Sequence, residues 1–329
     1  MFRSAVLAAL ALIVAMPAQA ADTPFQEALH AARNDDWETL SRTQARLGDA
    51  HPLQAYLDFH RLRAALPDLN PQRVQDYAER YPDSPLPNDI RQLALVAYAR
   101  DERWDAARAV YDSAPRSTEL RCLYWHAQWR AGNQEALNQA RELWLSGNSR
   151  PSACDPIFNA ARQRGQIGDQ EIWERMDLAF YERSPGLMRY LRPMLDDSAY
   201  ATAADLLLDL YGDPETLTDL PKDLPDDQRQ VLLAAGFRRL AYTDTETARE
   251  WFEDKRGDLG FTDAALVERA GQRIAWYSTI RGVEDNRDWL DQWLREHGGN
   301  DLLDQRARRA VIERNWDELP DWIARLPQS

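Results

Sequence analysis

Two cysteines, fourteen glycines and five histidines in 329 residues leave few routes to common site chemistries. No Cys-x-x-Cys occurs, which argues against a thioredoxin-like redox centre. His30, His51, His60, His126 and His297 form no His-x-x-x-His pair, so no metal site is expected. There is no Gly-x-Ser-x-Gly elbow, phosphate loop or Gly-rich dinucleotide fingerprint, and no cofactor is expected either. Positive charge is also short: 40 Lys and Arg stand against 54 Asp and Glu, a formal net charge of -14. That balance disfavours a basic groove for nucleic acid and tight attachment to anionic lipid.

Long apolar runs are missing beyond the first twenty residues, "MFRSAVLAALALIVAMPAQA". There Arg3 precedes an apolar run from Ala5 to Met16, and Ala18-Gln19-Ala20 closes the stretch with small-x-small spacing. This predicts a secretory signal peptide over 1–20, cleaved after Ala20, and export to the periplasm. The run is too short to span a bilayer and no stop-transfer pattern follows, so no stable membrane insertion is expected. Export permits a disulfide, and Cys122 and Cys154 are the available partners. Closing a loop of about 32 residues contributes roughly 3 to 4 kcal/mol on the chain-entropy picture.

What remains is rich in Ala, Leu, Arg, Glu, Asp and Gln, with almost no β-branched run or sustained alternation. That composition predicts helix throughout. Breaks recur every few turns. His51-Pro52, Asn70-Pro71, Asp155-Pro156 and Ser184-Pro185 each read as a helix start with proline in the first turn. Leu53, Tyr56, Leu57 and Leu62 are the expected buried stripe after Pro52. The polar stretch 212–227 is expected to be an irregular elbow between a helical region at 21–211 and its continuation at 228–329.

An imperfect motif marks several breaks: Arg33-Asn34-Asp35-Asp36-Trp37, Arg100-Asp101-Glu102-Arg103-Trp104 and a compressed Arg314-Asn315-Trp316. Asn133-Gln134-Glu135-Ala136 falls about 34 residues after the second copy but lacks the Trp. Polar residues make the turn and cap, and Trp or Ala packs into the helix pair. A period near 34 predicts tetratricopeptide-like hairpins, and hence an all-α superhelical array of antiparallel helix pairs. In "RCLYWHAQWRAGNQEALNQARELWLSGNSRPSACD", Leu120, Leu123, Ala127 and Ala131 mark one inward face. Ala136, Leu137, Ala140, Leu143 and Trp144 mark the next, and the return path brings Cys154 back toward the level of Cys122.

This stretch resembles the α-helical superhelix of the large soluble lytic murein transglycosylases. The resemblance is carried by Cys122, Ala131-Gly132, Leu143-Trp144-Leu145, Gly147 and Pro151-x-x-Cys154-Asp155. "HPLQAYLDF" from His51 and "YPDSPLPNDIR" from Tyr81 add to it. It implies a body bent into a U or partial ring. It further implies a separate C-terminal catalytic domain whose glutamate cleaves the MurNAc–GlcNAc bond to a 1,6-anhydro product without a cofactor. The sequence stops at Ser329 without the family's Glu-Ser helix start or Gly-rich loops, so no catalytic residue is assigned and the chain alone is expected to be inactive.

For binding, Trp37, Trp104 and Trp144 sit at core spacing, whereas Trp289 and Trp293 lie four apart on one helical face and are candidate glycan or partner contacts. Arg308 and Arg309, like Arg238 and Arg239, are candidates for meeting carboxylates of peptidoglycan. The expected partner is peptidoglycan or a cell-wall protein, together with the catalytic domain if the chain is a fragment. The alternative is a stand-alone periplasmic scaffold.

Overall fold

Helix caps and tight reversals, repeated at short intervals, generate the architecture. The computed structural model describes residues 23–48 and 51–326. The expected signal peptide lies outside the described residues. Among these the chain consists of α-helices, short 3-10 helices and turns, without a strand. Two compact units divide it between Asn133 and Gln134.

In the first unit the helices are α1 (Thr23–Arg33), α2 (Trp37–Leu47), α3 (Gln54–Ala64), α4 (Pro71–Arg80), α5 (Leu86–Arg100), α6 (Trp104–Arg108) and α7 (Thr118–Arg130). In the second they are α8 (Ala136–Trp144), α9 (Asp155–Gln163), α10 (Asp169–Tyr181), α11 (Pro185–Leu191), α12 (Ser198–Gly212), α13 (Asp226–Thr243), α14 (Thr245–Asp254), α15 (Ala264–Arg281), α16 (Arg287–His297), α17 (Asn300–Ile312) and α18 (Leu319–Ala324). Within each unit a helix packs mainly on helices one or two places away: α1 on α2 and α3, α5 on α6 and α7, α13 on α14 and α15, α15 on α16 and α17. That is the packing of a superhelical array of helix pairs.

The starts follow from the sequence. Asn70 caps α4 by accepting from the Gln72 amide, with Pro71 at the first position. Asp36 accepts from Thr39, Ser117 from Leu120 and Asp263 from Leu266. Each such cap satisfies an otherwise unpaired first-turn amide, worth about 1 kcal/mol. Pro156 and Pro185 sit in the first turns of α9 and α11, as expected. After His51-Pro52 the helix begins two residues later, at Gln54.

The recurring motif is a left-handed reversal. Asp35, Glu102 and Arg314 have φ of 58°, 55° and 57°. The next amide reaches back five residues in each case: Asp36 to the Ala31 carbonyl at 2.9 Å, Arg103 to Tyr98 at 2.8 Å, Asn315 to Ala310 at 2.8 Å. These bonds close the helix end in the Schellman manner. Arg183, with φ 56°, makes the same turn before Pro185. Gly132, φ 97°, makes it in the imperfect copy, where glycine enters this region without the steric cost of a side chain.

In the first unit Leu40 and Leu57 pack with Ala28 and Ala32, and Val74, Ile90, Leu95 and Tyr98 form the larger core. Tyr77 and Tyr98 are buried with their hydroxyls donating to the carbonyls of Ala55 and Leu69, each at 2.8 Å. Of the expected α3 stripe, Leu57 and Leu62 are buried, but Leu53 and Tyr56 are exposed because Ala55 takes the inward position between them. The expected α8 face, Ala136, Leu137, Ala140, Leu143 and Trp144, is wholly buried. Trp37 and Trp104 pack against their cores, but Trp316 is 59% exposed. Helix α18 starts only at Leu319, three residues past the motif, and Trp322 is the ring that enters the core. Residues 212–227 hold a 3-10 helix, Pro214–Asp219, packed on α12 and α13 through the buried Leu217.

Both cysteines are fully buried and disulfide-bonded, Cys122 in α7 and Cys154 just before α9.

Candidate functional site

Two clefts in the second unit gather polar and aromatic side chains that the core does not absorb. The first, about 880 Å³, lies among α14, α15 and α16. Trp289, Trp293 and His297 follow one another at one-turn spacing along α16. The Trp289 and Trp293 rings stack at 5.5 Å and 22°, and the His297 ring lies on Trp293 at 4.2 Å and 18°. Phe252 of α14 meets Trp293 edge-on at 5.7 Å. This close approach requires Gly271 of α15: a Cβ there would fall 2.2 Å from the Trp293 ring.

The stack is shared between cleft and core. Both tryptophans are half-buried, pack against the cluster of Leu290, Leu294 and Leu303, and also line the cleft. Trp293 Nε1 and His297 Nδ1 are buried without a protein partner. Carboxylates of Glu253, Glu268 and Glu296 rim the opening, with Arg256 lying over the Phe252 ring at 5.0 Å. Flat apolar faces surrounded by acceptors suit a ligand that is apolar on one side and hydroxylated at its edge.

The candidate arginines are elsewhere. Arg308 of α17 is exposed and holds Asp304 one turn before it at 2.6 Å. Arg309 bonds Glu313 and lies against Gly282, while Glu313 also takes Arg287 at 2.8 Å. Burial opposes ionisation of Glu313, but the hydrogen bonds and charges of Arg309 and Arg287 hold its carboxyl below the ordinary value. Trp289 and Trp293 are therefore brought together, while Arg308 and Arg309 line neither cleft and already have carboxylate partners.

The second cleft, about 680 Å³, is lined by Tyr181, Arg238, Arg269, Arg273, Trp276 and the start of α17. Beside it Asp177 of α10 is half-buried, and burial pushes its carboxyl up to about 6 against the opposing pull of Arg269 and Arg238. Sequence reasoning passed over this residue among 54 acids. The available signal was its place as a lone carboxylate between Met176 and Leu178, one turn before Tyr181. Among the described residues no group of His, Cys, Asp and Glu is arranged to hold a metal ion, and no helix is long and apolar enough to cross a membrane.

No protein-family profile matches the chain. The soluble lytic murein transglycosylase of Escherichia coli K12 is 27% identical over 280 residues, covering 84% of this chain and 43% of that protein. The Salmonella typhimurium protein of the same description gives the same identity over the same length. The crystal structure of the 70 kDa soluble lytic transglycosylase of E. coli superposes with a TM-score of 0.76 at 26% identity, over 93% of this chain and 50% of that one. The chain is related to the soluble lytic murein transglycosylases. An inactive mutant of the Pseudomonas aeruginosa lytic transglycosylase shares the fold, with a TM-score of 0.75 at 23% identity. The chain spans about half the length of these relatives and corresponds to a superhelical portion of such a protein.

Proposed function

We propose that the chain is a periplasmic, architectural body of a lytic murein transglycosylase, and that it holds peptidoglycan glycan against the aromatic cleft of α14–α16. Cleavage of the MurNAc–GlcNAc bond to a 1,6-anhydro product belongs, on this reading, to a separate glutamate-bearing domain. The observation that carries the binding role is the Trp289–Trp293–His297 stack beneath a carboxylate rim. Sugar rings present C–H faces that pack on indole and hydroxyl edges that donate to carboxylates. Arg308 and Arg309, each already paired, serve the fold of α16–α18 before any ligand.

Titration with peptide-free GlcNAc oligomers, followed by tryptophan fluorescence, tests the reading. Binding should weaken about tenfold in Trp289→Ala, the loss expected for one aromatic contact of about 1.4 kcal/mol. Glu268→Gln should weaken it less. Absence of binding by the wild-type chain at millimolar sugar, or equal binding by Trp289→Ala with unchanged helicity, would refute it and leave the stand-alone protein scaffold as the better account.

A further inference from the structure

The second cleft is positively charged on a chain with a formal charge of -14. Arg238 of α13 and Arg269 and Arg273 of α15 converge there, and none of the three has an ion pair among the described residues. Arg269 and Arg273 sit four apart on α15, a spacing at which like charges repel. That repulsion is a few tenths of a kcal/mol, and an anion entering the cleft would relieve it.

Of the three, Arg238 is held by a hydrogen bond to the protein. Its Nη2 donates to the Tyr181 carbonyl at 2.9 Å, and its guanidinium lies 3.3 Å over the Tyr181 ring. Its Nη1 is buried with no partner. A buried, unbonded N–H on a cation is costly, and it is a donor held in place for an absent acceptor. Burial lowers Arg238 only to about 10, so it is cationic at neutral pH.

The start of α17 closes the same cleft. Gly299, Asn300, Asp301 and Leu302 line it, and Gly299 gives no side-chain cap to the first amides of this thirteen-residue helix. The Leu302 amide donates to the Gly299 carbonyl at 3.0 Å, which leaves the amides of Asn300 and Asp301 at the positive end of the helix dipole. The opposing groups are Asp177 beside Arg238 and Arg269, and Asp301 on the rim. Three guanidiniums therefore face two carboxyls. Trp276 and Tyr181 add apolar walls next to the charged end, and the volume suits a few residues of chain rather than a bare ion.

We infer that this cleft is a carboxylate site that takes the C-terminus of a short peptide. The forked guanidinium geometry matches a carboxylate, while the aromatic walls take the side chain behind it. This rests on the peptidoglycan reading in one respect: the peptide is then a murein stem peptide. It does not depend on sugar binding in the aromatic cleft.

The experiment uses the full chain and a sugar-free probe, diacetyl-Lys-D-Ala-D-Ala, by isothermal titration calorimetry at low salt. The same peptide with an amidated C-terminus and inorganic phosphate serve as comparison ligands. The free-acid peptide should bind, and the amide should bind at least about tenfold more weakly, the loss of a charge-assisted pair. Arg269→Gln, at an exposed position, should weaken the acid several-fold without changing the fold. Arg238→Gln should abolish binding, and its helicity reports whether the buried change is tolerated. Equal binding of acid and amide, no binding of the acid at millimolar concentration, or full competition by phosphate at equal concentration would each overturn the inference. Peptide binding without GlcNAc-oligomer binding would uphold this site and refute the glycan cleft; the reverse would do the opposite.

Discussion

Removing the Asp291 carboxylate should destabilise the second unit by an amount that its surroundings set. Arg306 of α17 has a side chain only 3% exposed and grips Asp291 of α16 with two bonds, Nε to Oδ1 at 2.7 Å and Nη2 to Oδ2 at 3.0 Å. Nη2 also reaches Glu318 at 2.8 Å, and the guanidinium lies 5.0 Å from the buried Trp322 ring. In Asp291→Ala the cation stays buried and keeps one partner, Glu318, whose side chain is 42% exposed. Breaking a buried pair from one side costs about 3 to 5 kcal/mol. Because Glu318 remains, the low end, about 3 kcal/mol, is expected. For a unit of this size that is a fall in melting temperature of roughly 6 to 12 °C. Thermal unfolding followed by circular dichroism measures the fall, and Trp322 fluorescence reports whether α18 loosens first. The double change Asp291→Leu with Arg306→Met should recover most of the loss, since apolar replacement of a buried pair is often neutral. A loss below about 1 kcal/mol in Asp291→Ala, or a double variant no better than the single one, would show that this pair does not hold α16 to α17.

Reducing the Cys122–Cys154 disulfide should cost about 3 to 4 kcal/mol while leaving helicity largely intact; an unchanged urea midpoint under reductant would contradict this. Asp177, raised to about 6 from an ordinary 3.8, favours its neutral form in the fold. Its stabilisation is therefore complete below pH 3.8 and is lost as pH rises through 6, an effect of order 3 kcal/mol. Asp177→Asn should accordingly flatten that part of the stability profile and raise the urea midpoint at pH 8; a lower midpoint there would count against the assignment. Glu102→Gly, at a left-handed reversal, should stabilise by about 1 kcal/mol in thermal melts, and a destabilised variant would mean that the Glu102 side chain does more than occupy the turn.

Local chemistry was the legible part of the fold. Asn70-Pro71 and Ser117 announce helix starts because a short acceptor and a missing amide act within one turn. The motif at Trp37 and Trp104 was visible as a repeat, but its physical content, a left-handed residue just before the turn, is a backbone angle that no residue type there betrays. Asp35, Glu102 and Arg314 share a conformation and not a chemistry. Trp316 was misread for a related reason: the motif resembles the others, but α18 begins too late for that ring to be covered. In the clefts, the four-residue spacing of Trp289 and Trp293 places them on one helical face, though not the stacking of their rings. The cleft of Arg238, Arg269 and Arg273 was out of reach, because α13 and α15 bring together residues about thirty apart and nothing local marks them as neighbours.

The habit of each helix to rest on those one or two places away also governs how such a chain comes into being. No early helix has to wait for the far end of the sequence before it finds cover, and folds dominated by local contacts form quickly. For the exported chain proposed above, delivery through a narrow channel starts at the N-terminus. Once α1, α2 and α3 have emerged they can close on one another while the remainder is still threaded. A closed cluster is too wide to slip backward. Successive pairs would add to it like teeth passing a pawl, so that folding itself helps draw the chain across.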